Sequence, residues 1–479
     1  MDNITRRSVL ASLGITGTIG LAGCGGSNRS TGTATSAETP TIEPTTTLAP
    51  TSQSRTDGPK TLTETSSPVT RTEPSDGTPT NTAPKSTASM PAGVSKVLAE
   101  DGRRWDGLGS SVAACGDTIL VLAPGVDIDG GPSRGGAGAV YVFEREAGGW
   151  HQRTKLDPSV TPYEGDYFGS DVALDDGTAV IGGMTNDPSH DSRASVFERQ
   201  GENWDRQTTF PLEGESTPVF GEALELDGDT ALVSGRWVHR TQKLDDEDGG
   251  AYVFEREDGE WRRQSILSPE DDVFAAVGRE IAVDDDMAFV SNVQGNRHSV
   301  AVFERTGSDW HQTVTLTKSD DESGTADDSS TFAASITVQE GTALVGDSWY
   351  DDQGAVYAFE RSNGDWERTQ RLMASDGDSE DVFGLETALE DDLALVAAPY
   401  DDDPYGRSGG SAYLFERSDG QWQEQAKLVA PDGDAVDLFA SSVELTNRRA
   451  VIGAKSDGNV RGLVAGAVYV FDLSTILGD

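Results

Sequence analysis

Short apolar segments separated by polar turns fill the chain from residue 94 to residue 479, and this pattern recurs seven times. In each unit a tight turn such as Asp175-Asp176-Gly177 joins two apolar segments. A third segment of the YVFER type follows a longer connection, and a Trp then opens a fourth segment. Apolar runs of this length, bounded by Asp and Gly, are typical of strands. Each unit therefore predicts four short β-strands.

Two aromatic positions mark the repeat. The third strand carries a Phe in all seven units: Phe143, Phe197, Phe254, Phe303, Phe359, Phe415 and Phe471. Seven residues later the first six units carry a Trp: Trp150, Trp204, Trp261, Trp310, Trp366 and Trp422. One residue type at one position of every unit indicates a packing layer rather than six binding sites. A period of about 55 residues with no helical pattern indicates the blades of a propeller.

The two ends of the repeat region complement each other. The last unit stops after Phe471 without a Trp strand, whereas KVLAEDG from Lys96 matches KLVAPDG from Lys427. The first strand can therefore complete the last blade, which removes the open sheet edge. We predict an all-β fold, a seven-bladed β-propeller of four-stranded blades over residues 93–479, in which residues 95–99 pair with residues 468–473.

The repeated unit resembles the FG-GAP repeat in its short-turn bacterial and archaeal form. The resemblance rests on Phe-Gly pairs such as Phe168-Gly169, the apolar second strand and the GAVYVFER segment. It implies similarity to the propeller of integrin α chains. Calcium-binding relatives carry a D-x-D-x-D-G-x-x-D loop between strands one and two, but these turns are only two or three residues long here. We therefore expect no calcium in these turns, since six to eight oxygen ligands cannot assemble there.

Residues 1–24 resemble an export signal that ends in a lipobox. Arg6 and Arg7 precede a small-residue apolar run, as in a twin-arginine signal, and Cys24 follows Leu21-Ala22-Gly23, as in exported lipoproteins. An uncleaved anchor or an ordinary signal peptide is the alternative. Residues 25–92 are rich in Thr, Ser and Pro and predict a disordered linker, because they hold too little apolar area to offset chain entropy. We expect a lipid-anchored propeller at the extracellular face of the cytoplasmic membrane, on the cell surface.

Acidic residues outnumber basic ones by far. The chain has 82 Asp and Glu against 37 Lys and Arg, a formal net charge of −45. Such a surface repels nucleic acid, so we expect no nucleic-acid partner, and we expect a monomer. High acid with little Lys resembles the composition of haloarchaeal proteins that work in concentrated salt. Self-repulsion should destabilise the fold where salt is too dilute to screen it.

The loops of a four-stranded blade alternate between two faces. The one–two and three–four turns share one face, here called the tight-turn face, and the two–three and four–one loops share the other, the long-loop face. Long and varied loops are where ligands bind. Aromatic and Arg side chains there are typical interface anchors: Arg236, Trp237, Trp349, Tyr350, Tyr405 and Arg407. We expect this face to bind a partner protein or a surface glycan, and a solvated loop surface without a ligand is the alternative.

Candidate chemistry on the long-loop face is sparse. The four–one loops DGDSEDVF from Asp376 and DGDAVDLF from Asp432 place carboxylates at alternating positions, which leaves calcium open there, although turn formation explains them as well. His190, His239 and His298 fall in two–three loops, but the differing lengths of these loops argue against a zinc site. The chain has no Gly-x-Ser-x-Gly elbow, and no catalytic residue can be named. A glycan hydrolase or lyase on the same face, and a cell-envelope spacer without a ligand, are the rival functions.

Overall fold

The fold is described from a computed structural model, which covers residues 90–127, 136–157, 166–185, 193–211, 219–236, 249–269, 276–294, 297–318, 331–349 and 353–478. The strands form seven antiparallel four-stranded sheets, numbered here as blades 1–7. First strands of neighbouring blades contact each other and form the inner ring of the propeller. The predicted all-β seven-bladed fold is therefore confirmed.

The first four blades follow one another along the chain. Blade 1 contains β2 (Val112–Cys115), β3 (Thr118–Ala123), β4 (Ala139–Glu146) and β5 (Gly149–Leu156). Blade 2 contains β6 (Asp166–Asp175), β7 (Thr178–Thr185), β8 (Arg193–Gln200) and β9 (Asn203–Pro211). Blade 3 contains β10 (Val219–Asp227), β11 (Thr230–Arg236), β12 (Gly249–Glu257) and β13 (Glu260–Leu267). Blade 4 contains β14 (Ala276–Asp284), β15 (Met287–Gln294), β16 (Arg297–Thr306) and β17 (Asp309–Leu316).

The last three blades keep the same order until the ring closes. Blade 5 contains β18 (Phe332–Gln339), β19 (Thr342–Asp347), β20 (Ala355–Ser362) and β21 (Asp365–Leu372). Blade 6 contains β22 (Thr387–Glu390), β23 (Leu393–Ala398), β24 (Ser411–Ser418) and β25 (Gln421–Leu428). Blade 7 contains β26 (Phe439–Thr446), β27 (Arg449–Ala454), β28 (Ala467–Asp472) and, from the start of the domain, β1 (Val94–Val97). Helix α1 (Leu473–Leu477) follows β28.

Ring closure occurs in the predicted place. Strand β1 pairs antiparallel with β28, from Val94 opposite Phe471 to Val97 opposite Val468. Met90 lies within the predicted linker, yet it packs against the apolar core that contains blades 6 and 7. The ordered domain therefore begins slightly before residue 93. Within the described ranges, no helix is long and apolar enough to cross a membrane.

The glycine that follows an apolar residue at the start of five blades has a steric basis. Gly384 has a φ of 86°, and a Cβ atom there would lie 2.6 Å from the carbonyl oxygen of Ala355 in the preceding blade. Gly109 repeats this relationship with Ala467 across the ring closure. A left-handed backbone in close contact with another strand favours glycine. In blades 6 and 1 the glycine thus lets the first strand approach the third strand of the blade before it.

Aromatic side chains fill the space between blades. Phe383 packs edge-on against Tyr413 and Phe415, with ring centroids 5.5 and 6.1 Å away. The repeated Trp belongs to the same packing: Trp366 of blade 5 lies edge-on to Phe289 of blade 4 at 5.4 Å. The predicted Trp packing layer is therefore present. Trp204 and Trp422 are buried, whereas the other four repeated Trp residues are half-buried, although all six lie on outer strands.

The Glu and Arg of the FER segment join consecutive blades. The Arg of each blade forms an ion pair with the Glu of the blade before it, in five successive pairs: Arg199–Glu144, Arg256–Glu198, Arg305–Glu255, Arg361–Glu304 and Arg417–Glu360. The same guanidinium groups stack over the cross-strand Trp in several blades, for example Arg256 over Trp261 at 5.3 Å. The motif is thus a connector between blades as well as a strand signature.

The tight turns also link neighbouring blades. A side chain at the end of a first strand accepts a hydrogen bond from a backbone N–H of the next blade's one–two turn. Asp175 Oδ2 accepts from Gly228 at 2.7 Å, and Thr446 Oγ1 accepts from Gly116 at 2.9 Å across the closure. These bonds engage the N–H groups of the one–two turns, so these groups are not free for a ligand.

Candidate functional site

The long-loop face is described best at blades 5, 6, 7 and 1. Of the six residues predicted to bind there, Trp349, Tyr405 and Arg407 are described. Trp237, Tyr350 and the side chain of Arg236 lie outside the described residues, as do Arg6, Arg7 and Cys24. Their predicted roles therefore stay predictions.

Tyr405 is less exposed than the sequence predicts, and its role as a binding residue stays a prediction. It is half-buried, and its hydroxyl donates to the carbonyl oxygen of Ala430 at 2.6 Å. A Cβ atom on Gly433 would lie 2.7 Å from its ring, so the ring covers the backbone of the following loop. The ring folds back over the neighbouring loop because Gly433 leaves room for it. Tyr405 therefore stabilises the loop.

Trp349 and Arg407 differ in exposure. Trp349 is half-buried, and its backbone N–H donates to Thr331 Oγ1 at 3.0 Å. Arg407 is exposed, and its carbonyl oxygen accepts from the N–H of Val436 at 2.8 Å. Arg407 thus sits where the two–three loop of blade 6 meets the four–one loop that leads into blade 7. It keeps the accessibility that an anchor needs.

The acidic phrases of the four–one loops form clusters with Tyr and Lys. In blade 6 the Tyr413 hydroxyl lies 2.8 Å from Asp376 Oδ1 and 2.9 Å from Asp401 Oδ2. Lys427 Nζ contacts the same carboxylates at 2.8 and 2.9 Å. Lys427 is the cross-strand partner of Tyr413, so the sheet register brings the ammonium to this place. We call these four residues the Tyr413 cluster.

Blades 7 and 1 repeat this arrangement. Tyr469, Asp432, Asp457 and Lys96 form the Tyr469 cluster, in which Lys96 comes from β1. In blade 1 the hydroxyl of Tyr141 and the ammonium of Lys155 both contact Asp101 at 2.9 Å. In blade 3 the residue opposite the corresponding tyrosine is Ile266, so no such cluster can form. Three consecutive blades, 6, 7 and 1, thus share one local design.

Charge balance in these clusters sets the pKa values of their carboxyl groups. Burial acts to raise the pKa of Asp376, but hydrogen bonds from Lys427 and Tyr413 outweigh burial and hold this pKa below its usual range. The neighbouring Asp381 is buried without a cation of its own. Burial raises the pKa of Asp381 to about 6, although the N–H of Asp378 opposes the shift. One loop therefore contains a stabilised carboxylate and a destabilised one.

Calcium on the acidic four–one loops stays an open alternative. Among the residues that the structure describes, no group of three or more His, Cys, Asp or Glu could hold a metal ion. A lysine ammonium lies between the carboxylates of the Tyr413 cluster instead. His298 also differs from its predicted loop position: it lies in β16, and its Nδ1 is 3.2 Å from the carbonyl oxygen of Phe332. Histidines 190 and 239 lie outside the described residues.

The loop apex of the four–one loops is the feature that sequence reasoning missed. The three corresponding residues Trp105, Glu380 and Val436 all have a positive φ, between 72° and 76°. This conformation points the side chain outward, and Trp105 is 57% and Val436 55% exposed. A comparison of EDGRRWDGL with DGDSEDVF would have revealed Trp105, because this Trp does not occupy the repeated Trp position.

Buried carboxyl groups occupy the first strands of the inner ring. Asp171, Glu225, Glu280 and Glu444 are all nearly inaccessible to solvent. Glu225 Oε1 and Glu444 Oε2 have no hydrogen-bond partner within the described structure. Burial raises the pKa of Glu225 far above its usual value, and the charges of Asp171 and Glu444 add to this shift. These groups are sealed from a polymeric substrate.

A small pocket lies at the long-loop end of the inner ring. It is lined by Leu385, Pro399, Tyr400, Leu438, Ser441 and Lys455. Burial lowers the pKa of Lys455 to about 8, although the carboxylate of Glu386 opposes the shift. The pocket thus places Lys455 between the loops of blades 6 and 7.

The family comparison identifies the repeats. The model of the FG-GAP repeat matches residues 92–143, 150–197, 366–415 and 422–471. Each match runs from the outer strand of one blade, or from the residues just before it, to the third strand of the next. The chain is therefore a repeat propeller that contains FG-GAP repeats. No curated protein matches it.

Solved structures show only distant similarity. A chain of a mitotic checkpoint complex is 12% identical, with 81% of this chain and 96% of that chain covered and a TM-score of 0.45. A putative 6-phosphogluconolactonase from Bacteroides uniformis is 12% identical, with 71% and 90% covered and a TM-score of 0.45. A prolyl endopeptidase is 11% identical, with 78% and 50% covered and a TM-score of 0.46. These values are too low to carry a functional argument.

Proposed function

We propose that this protein is a cell-surface propeller that binds a partner protein or a surface glycan through its long-loop face. A lipid on Cys24, after export directed by Arg6 and Arg7, holds it at the extracellular face of the cytoplasmic membrane. Residues 25–92 act as the tether. Repeat propellers serve widely as binding scaffolds, and that role supports this assignment.

The contrast between the two faces is the observation that carries the proposal. On the tight-turn face, side chains such as Asp175 and Thr446 bond the turns of the next blade. On the long-loop face, the apex residues Trp105 and Val436 are more than half exposed and differ in identity from blade to blade. Repeated residues are accounted for by blade packing, so the exposed exceptions are free to contact a ligand.

The burial of the carboxyl groups on the inner ring favours a binding function over hydrolysis. A glycan hydrolase needs two carboxyl groups about 5–10 Å apart that reach the scissile bond. Glu225 and Glu444 are buried between the blades, where a sugar chain has no access. Asp381, with its pKa raised to about 6, is buried as well.

Capture from cell-envelope extract tests the proposed face. The full chain is immobilised in molar KCl, and captured protein and polysaccharide are measured for the wild type and for Trp237→Ala and Arg407→Ala. We expect capture to fall at least several-fold, since anchor residues lose more than about 1 kcal/mol when truncated. Asp258→Asn, in an exposed turn of the opposite face, is the matched control. Normal capture by the loop variants and lost capture by Asp258→Asn would place the site on the tight-turn face.

A further inference from the structure

An aromatic and basic patch lies where the long loops of blades 7 and 1 meet. It consists of Arg103, Arg104, Trp105, Val460 and Arg461, here called the Trp105 patch. The three Arg and Trp105 are exposed, and Val460 is 45% exposed. A Cβ atom on Gly102 would lie 3.6 Å from Arg461 Cγ, and one on Gly462 would lie 3.0 Å from Arg104 Cβ, so the two loops are in contact.

The backbone of the patch is held in place by hydrogen bonds. The N–H of Trp105 donates to Leu463 at 3.1 Å, and the N–H of Arg461 donates to Asn459 Oδ1 at 2.8 Å. Asn459 in turn donates through Nδ2 to the carbonyl oxygen of Gly466 at 2.8 Å. Trp105 has a φ of 76°, which fixes its outward direction. A ligand would therefore meet a surface that needs little ordering on binding.

The charge of the patch is opposite to that of the protein. The chain has 82 acidic residues against 37 basic ones. The Arg residues of the FER segments form ion pairs between blades, so they are not available to a ligand. Within the described ranges, the guanidinium groups of Arg104 and Arg461 form no ion pair. The Arg104 guanidinium lies 4.9 Å from the centroid of the Trp105 ring. The nearby carboxylate of Asp101 is already bonded to Lys155 and Tyr141.

The patch has a single exposed aromatic ring, which favours a sugar chain over a protein surface. A stable protein interface covers about 800 Å² on each partner, whereas one Trp contributes at most about 250 Å². An exposed indole flanked by Arg is suited to a pyranose ring whose carboxylate meets a guanidinium. The three exposed Arg side chains of the patch can also attract an anion.

We propose that the Trp105 patch binds an anionic polysaccharide built from carboxylate-bearing sugars. A sugar ring stacks on the open face of Trp105, while Arg104 supports the opposite face, and Arg103 and Arg461 receive carboxylates. This inference rests on the proposed function, because it names the ligand class and the part of the long-loop face that binds it.

Direct binding of defined oligosaccharides tests the inference. The probes are a hyaluronan oligosaccharide, the same chain with its carboxyl groups reduced to alcohols, and a polyglutamate peptide of similar charge, all titrated in molar KCl. We expect the wild type to bind the hyaluronan probe and to bind the other two at least about tenfold more weakly. Trp105→Ala, and Arg104→Gln combined with Arg461→Gln, should each weaken binding about tenfold, and Trp105→Tyr should retain most of it.

Folding and specificity are controlled separately. Arg263→Gln removes an exposed Arg from the outer strand β13 and should leave binding unchanged. Circular dichroism of each variant in the same salt shows whether it is folded. The inference fails if folded wild type does not bind the hyaluronan probe, if Trp105→Ala binds it equally well, or if polyglutamate binds as tightly. A folded wild type can fail to bind the hyaluronan probe and still capture an envelope partner that Trp237→Ala and Arg407→Ala lose. This result would support binding by the long-loop face and reject the sugar as its ligand.

Discussion

Lys96 on the first strand contacts Asp457, 361 residues later in the chain, with 2.8 Å between Nζ and Oδ2. Asp432 accepts from the same ammonium at 2.8 Å, and the Tyr469 hydroxyl bonds both carboxylates. The pairing of β1 with β28 is thus stabilised by ion pairs of Lys96 as well as by backbone hydrogen bonds. Closure of the ring therefore depends on a specific side chain in addition to the strand.

Lys96→Met should destabilise the propeller by about 3–5 kcal/mol, because it leaves the fully buried Asp457 without its cation. The free energy of unfolding is measured by urea denaturation in molar KCl. Lys155→Met is the matched control: its partner Asp101 is 53% exposed, so a loss below about 1 kcal/mol is expected. Equal losses in the two variants would show that burial of the cluster does not matter.

Arg305→Gln tests the ion pairs between blades. Arg305 lies 2.8 Å from Glu255 of blade 3, whose side chain is only 10% exposed. We expect a loss of about 1–2 kcal/mol in urea denaturation, since a charged hydrogen bond between partly buried groups is removed. Arg262→Gln breaks an exposed pair with Glu260 in a single strand and should cost under about 0.5 kcal/mol. A loss no larger for Arg305→Gln than for Arg262→Gln would contradict a connecting role.

The strands and the closure could be predicted from sequence because their signals are local. Apolar runs and tight turns repeat in all seven units, and each unit begins with an apolar residue followed by Gly or Ala, so the repeated signal outweighs irregular copies. The match of the segment at Lys96 with that at Lys427 located the closing strand for the same reason. Strand β1 begins one residue earlier than expected, since Val94 already pairs with Phe471.

The contacts between blades could not be predicted in the same way. Glu198 and Arg256 are 58 residues apart, and a single sequence does not tell which Glu faces which Arg. Tyr405 looked exposed because its loop is polar, but its burial depends on Gly433 in another loop. The match of KVLAEDG with KLVAPDG aligns Trp105 with Val436, but the contact of Trp105 with Leu463 in another loop could not be predicted. These features depend on loops that meet only in the folded ring.

Cys24→Ser should release the protein from the membrane into the medium, because the lipid on this Cys is the proposed attachment. Fractionation of cells and medium, followed by immunoblotting, measures the distribution. Arg6→Lys combined with Arg7→Lys should instead leave the protein inside the cell. Unchanged membrane retention of the Cys24 variant would reject lipidation, and unchanged export of the double variant would reject the twin-arginine route.

Lower salt should unfold the propeller. The chain carries a net charge of −45, and the screening length grows from about 3 Å in molar salt to about 10 Å at 0.1 M. Repulsion between exposed carboxylates then reaches neighbouring side chains and opposes the compact state. Circular dichroism during dialysis from molar KCl to ~0.1 M KCl measures the loss of structure. Native spectra at the lowest salt would refute adaptation to high salt.

Asp381 predicts how stability changes with pH. Its pKa is raised from 3.8 to about 6 in the folded protein, first of all by burial. Between these two values the folded state binds more protons than the unfolded state, so the free energy of unfolding falls as pH rises. Stability should therefore increase when pH is lowered from 7.5 to 5, by at most about 1.4 kcal/mol per pH unit for this one group.

Asp381→Asn isolates this contribution, because Asn keeps an oxygen that accepts from the N–H of Asp378 but never carries the charge. The variant should be about 1–2 kcal/mol more stable than the wild type at pH 7.5, and the two should converge near pH 4. Urea denaturation in molar KCl at several pH values measures both curves. Asp419→Asn, in an exposed turn, should shift the curve by less than about 0.5 kcal/mol. If Asp381→Asn is less stable than the wild type at pH 7.5, then the Asp381 carboxylate stabilises the loop, and the assigned direction of its pKa shift is wrong.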